Sequence, residues 1–243
     1  MRKIALSGLI AVTALLGGVA VPATAMAQPT SGVRPVSAVP ARPDADAVVT
    51  DVAGPKISCV LAGESGTGAL SLDRWNGKKL TTMRPAGNAI ALAPTEISCA
   101  TPSNCAVTGA NFGATNAVTG FTEIWNGTKW QVAATPWPKA TGQAVLWGAS
   151  CYGAHSCEAV GFAGPTLGQP PADAAAVSYR GTRGTQQAVA KPPAGHSSVF
   201  TAVSCLPWGT CVAVGDIGKS TTTTPAAVTG VWNGKSWKLG PGL

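Results

Sequence analysis

Short apolar stretches alternate with turn-forming residues along the chain, and the most regular of them end in a tryptophan hairpin. The string WNGTKW at 125–130 returns as WNGKKL at 75–80 and WNGKSW at 232–237, with a divergent copy, YRGTRG, at 179–184. Asn-Gly between β-prone residues favours a two-residue type I′ turn, because both residues reach positive φ at low cost. In that register Trp125 faces Thr128, and Trp125 and Trp130 lie diagonally on one face. We expect these indoles in the core rather than on a sugar-stacking platform.

Each hairpin closes a longer repeated unit. An apolar stretch ending in Ser-Cys is followed by five turn-like residues and a second cysteine. That cysteine opens a stretch of the Cys-Ala-Val-x-Gly type, and a loop rich in Gly, Thr and Pro comes next. The second cysteines, Cys59, Cys105, Cys157 and Cys211, lie 46, 52 and 54 residues apart. In the first copy Ala53 takes the place of the first cysteine. A repeat of this length indicates a stacked array or a propeller.

Four strands are predicted in each copy; in the fourth copy they are 199–205, 211–215, 226–232 and 236–239. The two short turns make neighbouring strands antiparallel, and a four-stranded meander of about 50 residues is one propeller blade. No helical periodicity separates the copies. We therefore predict an all-β fold, a propeller-like array of four four-stranded antiparallel blades over 47–243, with repeats at about 47–86, 90–138, 143–193 and 198–243.

The combined unit, Ser-Cys-x5-Cys-Ala-Val-x-Gly followed by Trp-Asn-Gly-x-x-Trp, resembles the repeats of secreted β-propeller-like proteins of high-GC Gram-positive bacteria. The resemblance covers about 47–243 and implies a fold, but no catalytic residues, because such folds carry many unrelated functions. Four blades leave three arrangements open: a closed ring, which we favour, an open array, or a ring completed by a second copy in a homodimer.

The amino terminus predicts export. Basic residues Arg2 and Lys3 precede an apolar run from 4 to 21 and an Ala-x-Ala site ending at Ala27, which is typical of a cleaved signal peptide over 1–27. Residues 28–46, rich in Pro and Ala, are predicted to be a linker. After cleavage 15 basic and 10 acidic residues remain, a net charge of +5. This thinly spread charge and export argue against nucleic acid, and we expect no membrane span after cleavage.

The cysteine spacing predicts three disulfides, because paired cysteines in an exported chain are oxidised. The expected bonds are Cys99–Cys105, Cys151–Cys157 and Cys205–Cys211. Metal binding is disfavoured because five intervening residues exceed the usual zinc spacing and partner histidines are missing. Cys59 faces Ala53, so we expect a free, buried thiol, with an intermolecular bridge as the alternative.

No catalytic, cofactor-binding or metal-binding residue is assigned from the sequence. Residues 213–220 fit a relaxed phosphate-loop pattern, but the threonine run and Pro225 that follow do not start a helix. His155 and His196 are expected on the surface. Glu64 and Asp216 would be neighbours in a closed ring and form the best carboxylate pair. We place the expected ligand face on the long loops, near Asp216 and 162–169.

The sequence therefore predicts a secreted, non-catalytic binding or scaffold module for a protein or glycan at the cell surface. The alternative functions are an extracellular hydrolase with its site on the long-loop face, and a basic protein held on the cell wall by charge. Salt would release the latter, whereas specific binding should survive moderate salt.

Thiol titration of the unfolded, unreduced protein tests the cysteine assignment. We expect one reactive thiol per chain, contributed by Cys59, because the other six cysteines are predicted to be oxidised. A result of zero thiols would contradict this assignment and indicate an intermolecular bridge.

Overall fold

Four antiparallel sheets, one for each sequence repeat, make up the computed structural model of the chain. The structure describes residues 45–52, 59–65, 67–87, 92–112, 118–137, 142–165, 172–219 and 225–241, with backbone alone for 45–52. The predicted signal peptide and the linker up to residue 44 lie outside the described residues. Among the described residues, no helix is long and apolar enough to span a membrane.

Each sheet contains four consecutive strands in chain order. Sheet 1 consists of β1 (Ala45–Val52), β2 (Cys59–Ser65), β3 (Leu70–Trp75) and β4 (Leu80–Met83). Sheet 2 consists of β5 (Leu92–Thr101), β6 (Asn104–Phe112), β7 (Val118–Trp125) and β8 (Trp130–Val132). Sheet 3 consists of β9 (Gln143–Tyr152), β10 (Ser156–Gly164), β11 (Asp173–Arg180) and β12 (Arg183–Gln186). Sheet 4 consists of β13 (His196–Cys205), β14 (Cys211–Lys219), β15 (Ala226–Trp232) and β16 (Trp237–Pro241). The prediction of an all-β, propeller-like array of four blades is confirmed.

The three predicted disulfides are present, and each joins the first two strands of its own sheet. They are Cys99–Cys105, Cys151–Cys157 and Cys205–Cys211. Within each pair the two cysteines are directly opposed across the strands. Cys59, at the start of β2, is not part of these disulfides and is buried.

The tryptophan hairpins differ from the predicted register by two residues, and the turn lies one residue further along the chain. Trp125 lies directly opposite Trp130, not Thr128, so Gly127 and Thr128 form the turn. Gly127 takes a φ of 95°, while the Asn126 side chain accepts hydrogen bonds from the N–H groups of Thr128 and Lys129, both at 3.0 Å. The Asn126 side chain therefore closes the turn, and Gly127 supplies a positive φ that glycine adopts without strain. The two indole centroids are 5.7 Å apart.

Successive sheets pack face to face, and these interfaces form the core. We call the side of a sheet that is turned towards the next sheet its forward face, and the opposite side its back face. Three cores lie between sheets 1 and 2, 2 and 3, and 3 and 4. Trp125 and Trp130 on sheet 2 and Trp237 on sheet 4 lie on back faces, where they are buried against the preceding sheet.

Contacts between the described strands join consecutive sheets, and closure of the four sheets into a ring stays a prediction. Strand β5 packs on sheet 1, β9 on sheet 2 and β13 on sheet 3, but the described strands of sheets 1 and 4 share no comparable interface. Because every sheet is made of consecutive strands, no strand is exchanged between sheets 1 and 4 to hold a ring together.

In sheets 2, 3 and 4 the glycine that ends the stretch of the Cys-Ala-Val-x-Gly type faces a β-bulge in the neighbouring first strand. In sheet 4 the bulge lies between Phe200 and Ala202, and a Cβ on Gly215 would overlap the carbonyl oxygen of Val199. Gly109 and Gly161 meet the equivalent carbonyls of Ala93 and Val145. A close backbone approach of this kind excludes a side chain, which explains why these three repeats carry glycine here.

We expect Gly215→Ala to destabilise the protein by about 1–3 kcal/mol, because the added methyl group must displace backbone. Gly218→Ala on the same strand is the control, since a Cβ there would make only ordinary contact with Pro225. Urea denaturation of both variants measures the difference. Equal stability of the two variants would contradict the role of the bulge.

Candidate functional site

A cleft of about 470 Å³ lies between the forward face of sheet 3 and the back face of sheet 4. It lies at the end of the sheets that carries the cysteine turns and the glycine hairpins. The residues that line it are Tyr152, Gly153, Ser156, Ser178, Tyr179, Arg180, Gln187, Pro207, Trp208, Gly209, Trp232 and Gly234. The lining combines three accessible aromatic rings with neutral hydrogen-bonding groups and one guanidinium.

The cleft exists because short polar side chains replace the groups that fill the preceding interface. Between sheets 2 and 3, Asn104 donates hydrogen bonds to the carbonyls of Gly153 and Ser156, at 3.2 and 3.3 Å, and Ile124 is buried beneath it. The equivalent positions on sheet 3 hold Ser156 and Ser178. Both are too short to fill the same space, so the interface between sheets 3 and 4 opens at this end.

Three aromatic residues of different exposure border the cleft. Trp208 lies at the tip of the cysteine turn of sheet 4 and is 75% exposed. Tyr152 and Trp232 are partly buried, and Trp232 stacks obliquely on Trp237 with centroids 5.9 Å apart. Gly209, with a φ of 88°, turns the chain beside the Tyr152 ring. Two rings are therefore held by the core, while the third projects into solvent.

A buried carboxyl group lies beneath the cleft, on the forward face of sheet 3. Glu158 is 1% exposed, and burial raises the pKa of its carboxyl to about 8, while a hydrogen bond with Gln187 lowers it in part. The Trp237 indole N–H donates to Gln187 Oε1 at 2.5 Å, which directs the amide N–H groups of Gln187 towards the carboxyl. Glu158 Oε1 has no hydrogen-bond partner. Trp237 and Glu158 thus fix the orientation of Gln187, which lines the cleft.

The buried Glu158 carboxyl also affects the pKa of the neighbouring Tyr152 hydroxyl. The pKa of the Tyr152 hydroxyl is raised, first by burial and then by Glu158, and Arg180 opposes the shift. Glu158 is largely protonated below its raised pKa of about 8, and the Tyr152 phenol, with an ordinary pKa of 10.0 that is raised further here, is uncharged at neutral pH. The guanidinium of Arg180 is then the charge that a ligand meets in the lining.

The arrangement is suited to binding rather than to acid–base chemistry. The described lining contains donors, acceptors and aromatic faces, but neither a carboxylate nor a histidine. No group of three or more His, Cys, Asp or Glu residues that could hold a metal ion occurs among the described residues. A neutral ligand with an apolar face and several hydroxyl groups matches these features.

The two sequence-predicted carboxylates lie on different sheets. Glu64 is exposed near the end of β2, and Asp216 is exposed in β14, so their pairing stays a prediction. His155 is exposed in a cysteine turn, whereas His196 is partly buried at the start of β13. The long loops of the expected ligand face include 113–117, 166–171 and 220–224, which lie outside the described residues. Ligand binding on that face therefore stays a prediction.

Sequence reasoning missed the cleft, although three of its residues break the repeat. Tyr152 follows the first cysteine of its copy, where Ala100 and Leu206 stand in the neighbouring copies. Trp208 stands where the other cysteine turns have Pro102 and Ala154. Glu158 replaces an apolar residue, the equivalents being Ala106 and Val212. Departures from the repeat were the available signal for this site.

Comparisons with known proteins identify no family. No protein-family model matches the chain, and no match is found among curated proteins. Among solved structures, a fucose-recognising lectin of Aleuria aurantia with a six-bladed β-propeller fold is 17% identical, with a TM-score of 0.48; the match covers 82% of this chain and 61% of the lectin. An α-L-arabinanase of Penicillium chrysogenum, complexed with arabinobiose, is 9% identical, with a TM-score of 0.48, over 83% of this chain and 72% of that one.

A xyloglucanase of Xanthomonas campestris is 10% identical, with a TM-score of 0.42, over 70% of this chain and 25% of that enzyme. The chain spans about three fifths of the length of the lectin. These similarities are too distant to transfer a ligand or an activity.

Replacing Glu158 by glutamine should make the stability less dependent on pH. The folded pKa of about 8 exceeds the ordinary value of 4.5, so the unfolded state binds fewer protons in between, and wild-type stability falls as the pH rises through this window. Relative to Glu158→Gln, we expect a loss of up to about 1.4 kcal/mol per pH unit. Urea denaturation at pH 5 and pH 8 measures it.

Asp216→Asn is the matched control, because Asp216 is exposed and its replacement should change the pH profile little. A constant stability difference between wild type and Glu158→Gln at both pH values would show that Glu158 ionises normally.

Proposed function

We propose that the chain is a non-catalytic carbohydrate-binding module of the secreted compartment, and that the cleft between sheets 3 and 4 holds the sugar. The observation that carries the proposal is the grouping of Tyr152, Trp208 and Trp232 around neutral donors and acceptors. A sugar ring presents C–H groups on its faces and hydroxyl groups on its edge. Aromatic faces and amide or hydroxyl groups complement these two surfaces respectively.

The dimensions and the polarity of the cleft support a small ligand. Ligand pockets commonly measure about 300–1,000 Å³, and the cleft falls in the lower part of that range. Ser156 and Ser178 offer hydroxyl groups that can both donate and accept, while Gln187 has its amide held in place by Trp237. Pre-oriented groups lose little conformational entropy on binding, which favours measurable affinity for a mono- or disaccharide.

The disulfides support the proposal that the protein is exported. Three disulfides in a chain of 243 residues are typical of proteins that fold in an oxidising environment. The predicted signal peptide over 1–27 supports export independently. We therefore propose that the module acts at the cell surface or in the medium, where glycans are abundant ligands.

The hydrolase alternative receives less support from the described residues. Glycoside hydrolysis commonly uses two carboxyl groups that flank the scissile bond. Glu158 has the raised pKa of a general acid, but it lies beneath Gln187 and no carboxylate of the described lining faces it across the cleft. A binding role does not require a pair of carboxyl groups in contact with the ligand.

Screening on an array of immobilised neutral and N-acetylated oligosaccharides, followed by calorimetry with the best-binding sugar, tests the proposal. We expect Trp208→Ala to weaken binding at least about tenfold, because stacking area is lost. Ser178→Ile should abolish binding by filling the cleft with the residue that sheet 2 has at the equivalent position.

Phe112→Ala is the matched control, because Phe112 is an exposed aromatic residue on sheet 2, outside the cleft. Its affinity should equal that of the wild type. Equal affinity of all variants, with unchanged melting temperatures, would place sugar binding elsewhere. If moderate salt released the protein from the immobilised sugars, the result would favour the alternative of a basic protein held by charge.

A further inference from the structure

A second cavity, of about 320 Å³, lies at the outer edge of sheet 3, and we call it the edge cavity. Strand β12 ends at Gln186, which pairs with Val177, whereas its partner β11 extends further, to Asp173. Residues 173–175 therefore have no β12 neighbour and form one wall of the edge cavity, while residues 186–191 form the other. The edge cavity exists because the two strands of this hairpin part before β11 ends.

The chain that follows β12 leaves sheet 3 and pairs with sheet 4. The Trp237 N–H donates to the carbonyl of Ala188 at 2.8 Å, and the Ala190 N–H donates to the carbonyl of Trp237 at 3.0 Å. The edge cavity lies on the other side of this segment, since Trp237 does not line it. Because backbone groups alternate in direction along an extended chain, the N–H and C=O of Val189 point away from Trp237 and can meet a ligand in the edge cavity.

The lining of the edge cavity is polar and contains both signs of charge. Asp173 and Lys191 are exposed, and no ion pair joins these two described residues. The amide groups of Gln186 and Gln187 add both donors and acceptors. A carboxylate accepts hydrogen bonds, an ammonium group donates them, and a sugar hydroxyl group can pair with either. The described lining holds no aromatic ring, so it offers hydrogen bonds without a stacking surface.

The edge cavity and the cleft between sheets 3 and 4 meet at Gln187, which lines both. On β11 the cleft reaches from Arg180 to Ser178, and the edge cavity begins at Ala175. The two cavities thus follow the 8 residues of β11 from Arg180 to Asp173, a length of about 23 Å at a rise of about 3.3 Å per residue. A ligand that fills both must be an elongated molecule.

We propose that the edge cavity is a second subsite for a linear oligosaccharide that is anchored in the cleft and passes over Gln187. The inference rests on the proposed carbohydrate-binding function and specifies its ligand as a chain of several sugar rings. Tyr152, Trp208 and Trp232 stack on the anchored rings, while the edge cavity binds the hydroxyl groups of the following rings. Affinity therefore depends on chain length, and the edge cavity alone does not retain a monosaccharide.

Calorimetry of the full chain with glucose, xylose and N-acetylglucosamine oligomers of one to six rings tests the proposal. In the series that binds best, we expect the affinity to increase at least about tenfold between two and five rings, because hydrogen bonds to the charged groups of the edge cavity are added. A repeating oligomer also offers more copies of one ring to the cleft, so variants of the edge cavity are the decisive measurement.

Lys191→Ala and Asp173→Ala should each remove most of the gain with length and leave the affinity for the disaccharide unchanged. Trp208→Ala should instead weaken the binding of every oligomer alike, since it alters the anchoring cleft. Lys129→Ala is the matched control, because Lys129 is an exposed lysine in the hairpin of sheet 2, and it should bind each oligomer like the wild type.

The two levels of the proposal fail in different ways. If sugars bind but their affinity does not increase beyond two rings, or if both edge-cavity variants keep the full gain, the second subsite is overturned and the cleft remains the sugar site. If none of the oligomers binds, the carbohydrate-binding function and the second subsite are both overturned.

Discussion

Face-to-face burial between successive sheets is the interaction on which the rest of the structure depends. Each four-stranded sheet has apolar side chains on both faces. Val107 is buried on the back face of sheet 2, and Val160 is buried on the forward face of sheet 3. Stacking is the means by which the meanders bury both sides. The disulfides reinforce the first two strands of a sheet, but they link no two sheets and therefore cannot replace this packing.

The candidate site lies where this packing between sheets is locally incomplete. At the hairpin end, the interface between sheets 2 and 3 is filled by Asn104 and Ile124, whereas sheet 3 presents Ser156 and Ser178 to sheet 4. The space that results is polar. The Glu158 carboxyl is buried beneath it, where a hydrogen bond with Gln187 partly compensates its burial. A repeat can acquire a binding site in this way without any new secondary structure: substitutions on one forward face suffice.

Strand number, strand order and disulfide pairing were predictable because they depend on local spacing. Five residues between two cysteines permit little besides an antiparallel pair, and glycine hairpins connect only adjacent strands. The register of the Trp125 hairpin was not predictable from Asn-Gly alone, because it depends on whether the Asn126 side chain or its backbone closes the turn. Ring closure was not predictable for a different reason: it depends on the angles between sheets, and these accumulate from many side chains.

The position of the site also depends on packing between sheets rather than on local spacing. Loops were expected to carry function, so the sequence prediction pointed to Asp216 and the long connections. The observed cleft instead uses strand residues and the shortest turns, where the backbone is fixed by a disulfide and a positive-φ glycine. Tyr152 and Trp208 therefore gain their relation to each other from the packing of sheet 4 on sheet 3. A single repeat read by itself contains neither that relation nor the cleft, because both belong to the interface between two copies.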